Sequence, residues 1–125
     1  MKIHDLCPSN LDAFLSSHPV SLIAFLVGDE TGSEKIFERM TEAAKSNRMA
    51  MGFGIVSTVD SDNLALCRIN GVGLTPMVKY FVDGSWTGIM RVGVPEIMQG
   101  FTDETLDRDF MSLVRRSRRA NLRHG

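Results

Sequence analysis

The sequence predicts an α/β domain with a central mixed sheet of four to five strands, helices on both faces, and a C-terminal antiparallel hairpin followed by a helix. Three observations carry this. Val20 to Val27 is an apolar run of strand length interrupted only by Ser21, the pattern of a strand buried on both faces. From Ser33 the apolar spacing changes to Ile36, Phe37, Met40 and Ala44, one stripe at helical period, with Glu34, Lys35, Glu38, Arg39 and Glu42 facing outward. Asp83-Gly84 then separates two apolar runs, and this pair tolerates the positive φ that a two-residue hairpin turn requires.

Each element follows in order. A short strand ends before Cys7. Ser9 or Asn10 is placed to cap a first helix that turns Leu11, Phe14 and Leu15 inward, and His18-Pro19 ends it, because the residue before proline avoids helical backbone. The Val20–Val27 strand is closed by Gly28, and the second helix follows from Ser33. Met51 to Val59 is again apolar and strand-like; Asp60-Ser61-Asp62 supplies turn chemistry before a third helix carrying Leu66 and Ile69, which stops at Asn70-Gly71. Met77–Val82 and Trp86–Val92 form the hairpin. The last helix runs from about Thr102 to Leu122 with Leu106, Phe110, Leu113 and Val114 on one face. Its acids lie near the start and its arginines near the end, as the helix dipole favours. Early strand-helix-strand crossovers favour parallel pairing, and the closing pair is antiparallel.

With 125 residues, the chain is expected to form one domain over 1–125, burying roughly two thirds of the surface of its unfolded form without disulfides or a metal. Two cysteines, Cys7 and Cys67, make no staple framework. The longest apolar stretch is far short of the roughly 20 residues a membrane span needs. The N-terminus places Asp5 and Pro8 where a secretory signal has its apolar run, which gives the expectation of a reducing, cytoplasmic location. The net charge of -1 hides a division: residues 115–125 carry five of the 14 basic residues and none of the 15 acidic ones, so that end is +5 and the remainder, with nine basic residues, is -6.

Residues 20 to 115 resemble the thioredoxin-like family. The resemblance rests on the strand Ser21–Val27, the short loop Gly28–Thr31, the helix from Ser33, Val59-Asp60, Gly71-Val72-Gly73-Leu74-Thr75-Pro76, Tyr80-Phe81-Val82-Asp83-Gly84, and Arg91-Val92-Gly93. The glycine-valine pair leading to Pro76, followed by an apolar strand and Asp-Gly, is its most specific part. The resemblance implies a cis Thr75-Pro76 bond beside the family's redox site.

That redox chemistry needs Cys-x-x-Cys at the start of the second helix, where the helix end stabilises a thiolate and a second thiol resolves the mixed disulfide. Here the four positions read Thr31-Gly32-Ser33-Glu34. The residue before them is Glu30 instead of an aromatic, Phe25 occupies the place of a buried acid, and no lysine occurs between Arg48 and Lys79. Nucleophile, resolver and proton relay are absent together, and no catalytic residue is assigned. Thr31 and Ser33 read as capping hydroxyls, since His4, His18 and His124 all lie outside the matched region.

What the resemblance retains is a surface for an extended peptide, which does not itself need cysteine. By resemblance it comprises Thr31, Gly32, Ser33, Thr75, Pro76 and Gly93, with Trp86 or Met90 nearby; Met77, Met90 and Met98 flank the loop as core filling or as an adaptable groove. Relatives lacking both cysteines include accessory chaperones for hydrogenase maturation, a spliceosomal component and non-catalytic domains of protein disulfide isomerases. The expectation is a redox-inactive binding, adaptor or chaperone-type module with a protein or peptide partner. Two alternatives stay open: an atypical thiol-disulfide enzyme using Cys7 or Cys67, and a nucleic-acid-associated module using Arg115, Arg116, Arg118, Arg119 and Arg123. That arginine end also reads as a solvated helix terminus or as an arm for a protein partner. The -6 remainder, one Trp and one Tyr argue against nucleic acid. Neither Gly52-Phe53-Gly54 nor Gly71-Val72-Gly73 completes a phosphate-loop motif. No metal and no cofactor are expected.

Overall fold

A computed structural model describes residues 3–27, 31–45 and 51–124, with the side chains of Thr31 and of 117–124 outside that description. The described chain runs β1 (Ile3–Asp5), α1 (Leu11–Ser17), β2 (Val20–Leu26), α2 (Thr31–Lys45), β3 (Gly52–Ser57), a 3-10 turn (Ser61–Asn63), α3 (Leu64–Ile69), β4 (Met77–Val82), β5 (Ser85–Val92), α4 (Val94–Gly100) and α5 (Asp103–His124). The strand-closing Gly28, Glu30 and Arg48 lie outside the described residues.

The five strands form one sheet in the order β1-β3-β2-β4-β5. β1, β3 and β2 are parallel, while β4 pairs antiparallel with β2 and with β5. Every residue of β2 is buried, which is why this segment carries no polar alternation. Its two sets of side chains root two cores. On one face Leu22, Ala24 and Leu26 meet Ile36 and Met40 of α2, Ile97 of α4, and Leu106 and Leu113 of α5. On the other, Ile23 and Phe25 meet Phe14 of α1 and Cys67 of α3. The β4–β5 turn has Asp83 at φ 50° and Gly84 at φ 82°, the mirror-image turn that matches strand twist.

Three local features depart from the sequence reading. Asn10 stands at the start of α1 but gives it no side-chain cap; its Oδ1 accepts the Cys7 N–H at 2.8 Å and its Nδ2 donates to the Asp5 carbonyl at 2.8 Å, tying β1 to the turn. A fourth helix, α4, stands between the hairpin and the last helix, with proline at its start and Ile97 fully buried. The second helix begins at Thr31, two residues before the start expected at Ser33.

α5 starts with a reciprocal cap, Thr105 N–H to Thr102 Oγ1 and Thr102 N–H to Thr105 Oγ1, each 3.2 Å. Asp109 then fixes it to the sheet: Tyr80 Oη donates to Asp109 Oδ2 at 3.2 Å, and Arg91 Nη2 lies 3.5 Å from the same oxygen. Further along, Arg116 Nη1 reaches the Thr87 carbonyl of β5 at 3.4 Å. The helix therefore crosses β4 and leaves over β5.

Candidate functional site

At the end of the sheet where β4 begins, three segments meet. The Thr75-Pro76 bond is cis, as the resemblance implies. Gly93 N–H donates to the Pro76 carbonyl at 3.0 Å, joining the turn into α4 to the start of β4. Gly32, in the first turn of α2, lies so close to Val94 that a Cβ at position 32 would collide with Val94 Cγ2. Glycine is required there because two helices start against one another. Gly32, Pro76 and Gly93 are thus brought together. Pro76 is buried and Thr75 half-buried, whereas Leu74 is 68% exposed. The face therefore presents the half-buried Thr75 and one projecting apolar side chain, Leu74.

Ser33 does not join it. Its side chain turns inward, with only 3% of the residue exposed, and its Oγ has no hydrogen-bond partner. It lines a separate cleft of about 590 Å³ with Asp5, Leu26, Glu34, Phe37, Glu38, Ile55 and Ser57, between α2 and the β1–β3 edge. The Thr31 side chain lies outside the described residues. Trp86 pairs with Phe81 near the Asp83-Gly84 turn, at the opposite end of the hairpin from Met77 and Val92, so it is remote from Pro76. The methionines do not share a groove: Met77 is in the core under α1 and α3, Met98 packs against the other core, and Met90 is exposed. Side chains alternate across a strand, and a sheet separates the first two.

The chemistry of the thiols is set by where they sit. Cys67 is buried among apolar side chains, which pushes its thiol up. Cys7, in the turn after β1, is half-buried, and the Ser9 hydroxyl 3.0 Å from its Sγ pulls its thiol down. Both are free. Phe25, where the resemblance expects an acid, is fully buried in β2. Among the described residues no group of three or more His, Cys, Asp or Glu side chains could hold a metal ion, and no helix is long and apolar enough to cross a membrane.

Sequence reasoning missed one unusual side chain in the sheet. Lys79 is 5% exposed in β4; its Nζ donates to the Asn70 carbonyl and lies 4.1 Å from the Trp86 ring centre. Burial pulls its ammonium down from the ordinary lysine range. Of the basic tail, Arg115 and Arg116 are exposed, and Arg118, Arg119 and Arg123 fall where α5 continues without described side chains.

No family model and no curated protein matches the chain. Solved structures do. A mutant thioredoxin of Halobacterium salinarum NRC-1 superimposes with a TM-score of 0.72 at 18% identity, covering 90% of each chain. Oxidised thioredoxin from Plasmodium falciparum gives 0.67 at 16% identity, over 80% of this chain and 95% of that one. A chain from the complex of ferredoxin:thioredoxin reductase with thioredoxin f2 gives 0.71 at 13% identity, over 86% and 96%. At these identities the likeness concerns architecture: the chain has a thioredoxin-like fold.

Proposed function

We propose that this chain is a redox-inactive protein-binding module, of adaptor or chaperone type, that holds an extended segment of a partner at the face formed by Gly32, Leu74, Thr75, Pro76 and Gly93. The observation that carries this reading is Leu74, 68% exposed directly before the Thr75-Pro76 loop, which Gly93 ties to the start of α4. An apolar side chain that is held out to solvent beside this loop suits an extended peptide that seats one of its own side chains against it. The solved complex of thioredoxin f2 with its reductase supports association as a use of this fold. The missing cysteines at 31–34 leave binding without thiol exchange. A single domain working in the reducing cytoplasm accords with two free thiols.

The test is quantitative affinity capture from native lysate with the full chain, its Leu74→Asp variant and its Arg118→Gln/Arg119→Gln variant, each with and without nuclease. Leu74→Asp is expected to lower recovery of the principal partner at least about tenfold, the equivalent of roughly 1.4 kcal/mol. Nuclease and the arginine changes are expected to leave that recovery intact. Equal recovery by Leu74→Asp would exclude this face, and loss on nuclease treatment would transfer the function to the arginine end and nucleic acid.

A further inference from the structure

We propose that copies of this chain associate head to tail, the arginine-bearing end of α5 in one copy seating in the acidic cleft between α2 and β1 of the next. The inference stands apart from the Leu74 face, with which the cleft shares no residue.

The cleft, about 590 Å³, is built for a long cationic side chain. Its rim carries the carboxylates of Asp5, Glu34 and Glu38, and among the described residues none that lines it is basic. Among the described residues none of these carboxylates takes part in an ion pair. Leu26 and Ile55 add apolar surface, and Phe37 stands at 48% exposure. Deeper lies the Ser33 hydroxyl, 3% exposed and unpartnered, an acceptor in want of a donor. An arginine meets each of these needs: an apolar stem for the walls, a flat cation for the Phe37 ring, and a fork of N–H donors for carboxylate and hydroxyl oxygens.

The chain supplies such residues itself. Among the described residues, Leu113 and Val114 are the last of α5 to reach the core, and the helix continues to His124. Those ten residues extend about 15 Å. The sequence there is Arg115-Arg116-Ser117-Arg118-Arg119-Ala120-Asn121-Leu122-Arg123, without an acid, while the remainder of the chain is -6. The five arginines of the tail and the three carboxylates of the cleft are thus opposite charges on separate parts of the molecule.

Within one copy the last arginine with a described contact, Arg116, points away from the cleft. Arg116 is bonded to Thr87 on β5, whereas Asp5 of the cleft is on β1, the opposite edge of the five-stranded sheet. Four strand spacings, about 19 Å, separate these edges, and α5 travels away from β1. A donor surface at one edge and an acceptor surface at the other make a heterologous contact, which builds chains or rings instead of symmetric pairs.

Sedimentation velocity on the nuclease-treated full chain from about 5 to 200 µM tests this. At low salt the average mass should rise with concentration, and at about 0.3 M salt it should return to the monomer. Glu34→Gln/Glu38→Gln and Arg118→Gln/Arg119→Gln, all at the surface or in the tail, should each weaken self-association at least tenfold. An equimolar mixture of the two variants should form one-to-one dimers and stop there, because only one working tail and one working cleft remain per pair. A fluorescent peptide of residues 112–125 should bind the tail variant and not the cleft variant. A chain that stays monomeric at low salt overturns the proposal, as does association that ignores the Glu34/Glu38 change or requires nucleic acid.

Discussion

Asp109 accepts the Tyr80 hydroxyl and faces the Arg91 guanidinium, so one carboxylate holds α5 to two strands. Burial, with the Asp109 charge second, pushes the Tyr80 phenol up, and it remains a donor across the ordinary pH range. Lys79 is the contrasting case. Its ammonium has a carbonyl and an aromatic ring but no carboxylate described beside it, and burial draws its pKa down. Below that lowered pKa the folded chain carries the full cost of a buried charge. Between it and the unfolded lysine value, about 10.4, the unfolded state binds more protons, so this residue's contribution to stability improves as pH rises. Urea titrations of the native chain and of Lys79→Met, from about pH 8 to about pH 10.4, are expected to show the difference shifting in favour of the native chain. A constant difference would mean that Lys79 keeps an ordinary pKa. Neither residue's setting was legible in the sequence. Tyr80 and Lys79 stand next to each other in β4, and only the sheet sends one toward α5 and the other toward Asn70.

Elements whose side chains answer to one neighbour were readable; those that depend on several were not. β2 was plain because burial on both faces leaves Ser21 as the one polar residue in the strand, and Asp83-Gly84 was plain because few pairs adopt its φ values. α4 was not: it spans less than two full turns and buries Ile97 fully but Met98 only in part, too few positions to show a period. The Pro76 face was legible in part, since Gly32, Pro76 and Gly93 lie in short motifs. The acidic cleft was hidden because β1, β2, α2 and β3 each contribute one to four of its lining residues. The joint between α2 and α4 provides the test at this scale. Gly32→Ala is expected to destabilise the fold by about 1–3 kcal/mol through overpacking against Val94. In Gly32→Ala/Val94→Ala the loss should be smaller than the sum of the single changes, as measured by thermal or urea unfolding. Additive losses would show that the two helix starts do not press on each other.

The whole molecule keeps the thioredoxin-like layout while placing its sulfur elsewhere: Cys67 in the core under α1 and α3, Cys7 in the turn after β1. Neither stands at the start of α2, where helix N–H groups favour a thiolate. In the insulin-reduction assay the chain is expected to give no rate above the dithiothreitol background, and Cys7→Ser and Cys67→Ser should give the same trace. A rate that one of these substitutions abolishes would restore the oxidoreductase reading. The borders of the sheet bear on how such a molecule behaves when crowded. On one side β1 is three residues long; on the other, pairing slips between Lys79 and Phe81, and β5 carries Gly88 at φ 86° in its middle. Among the described residues neither border offers a long, regular ribbon of free amides for another chain to zip onto, which disfavours growth into cross-β fibres.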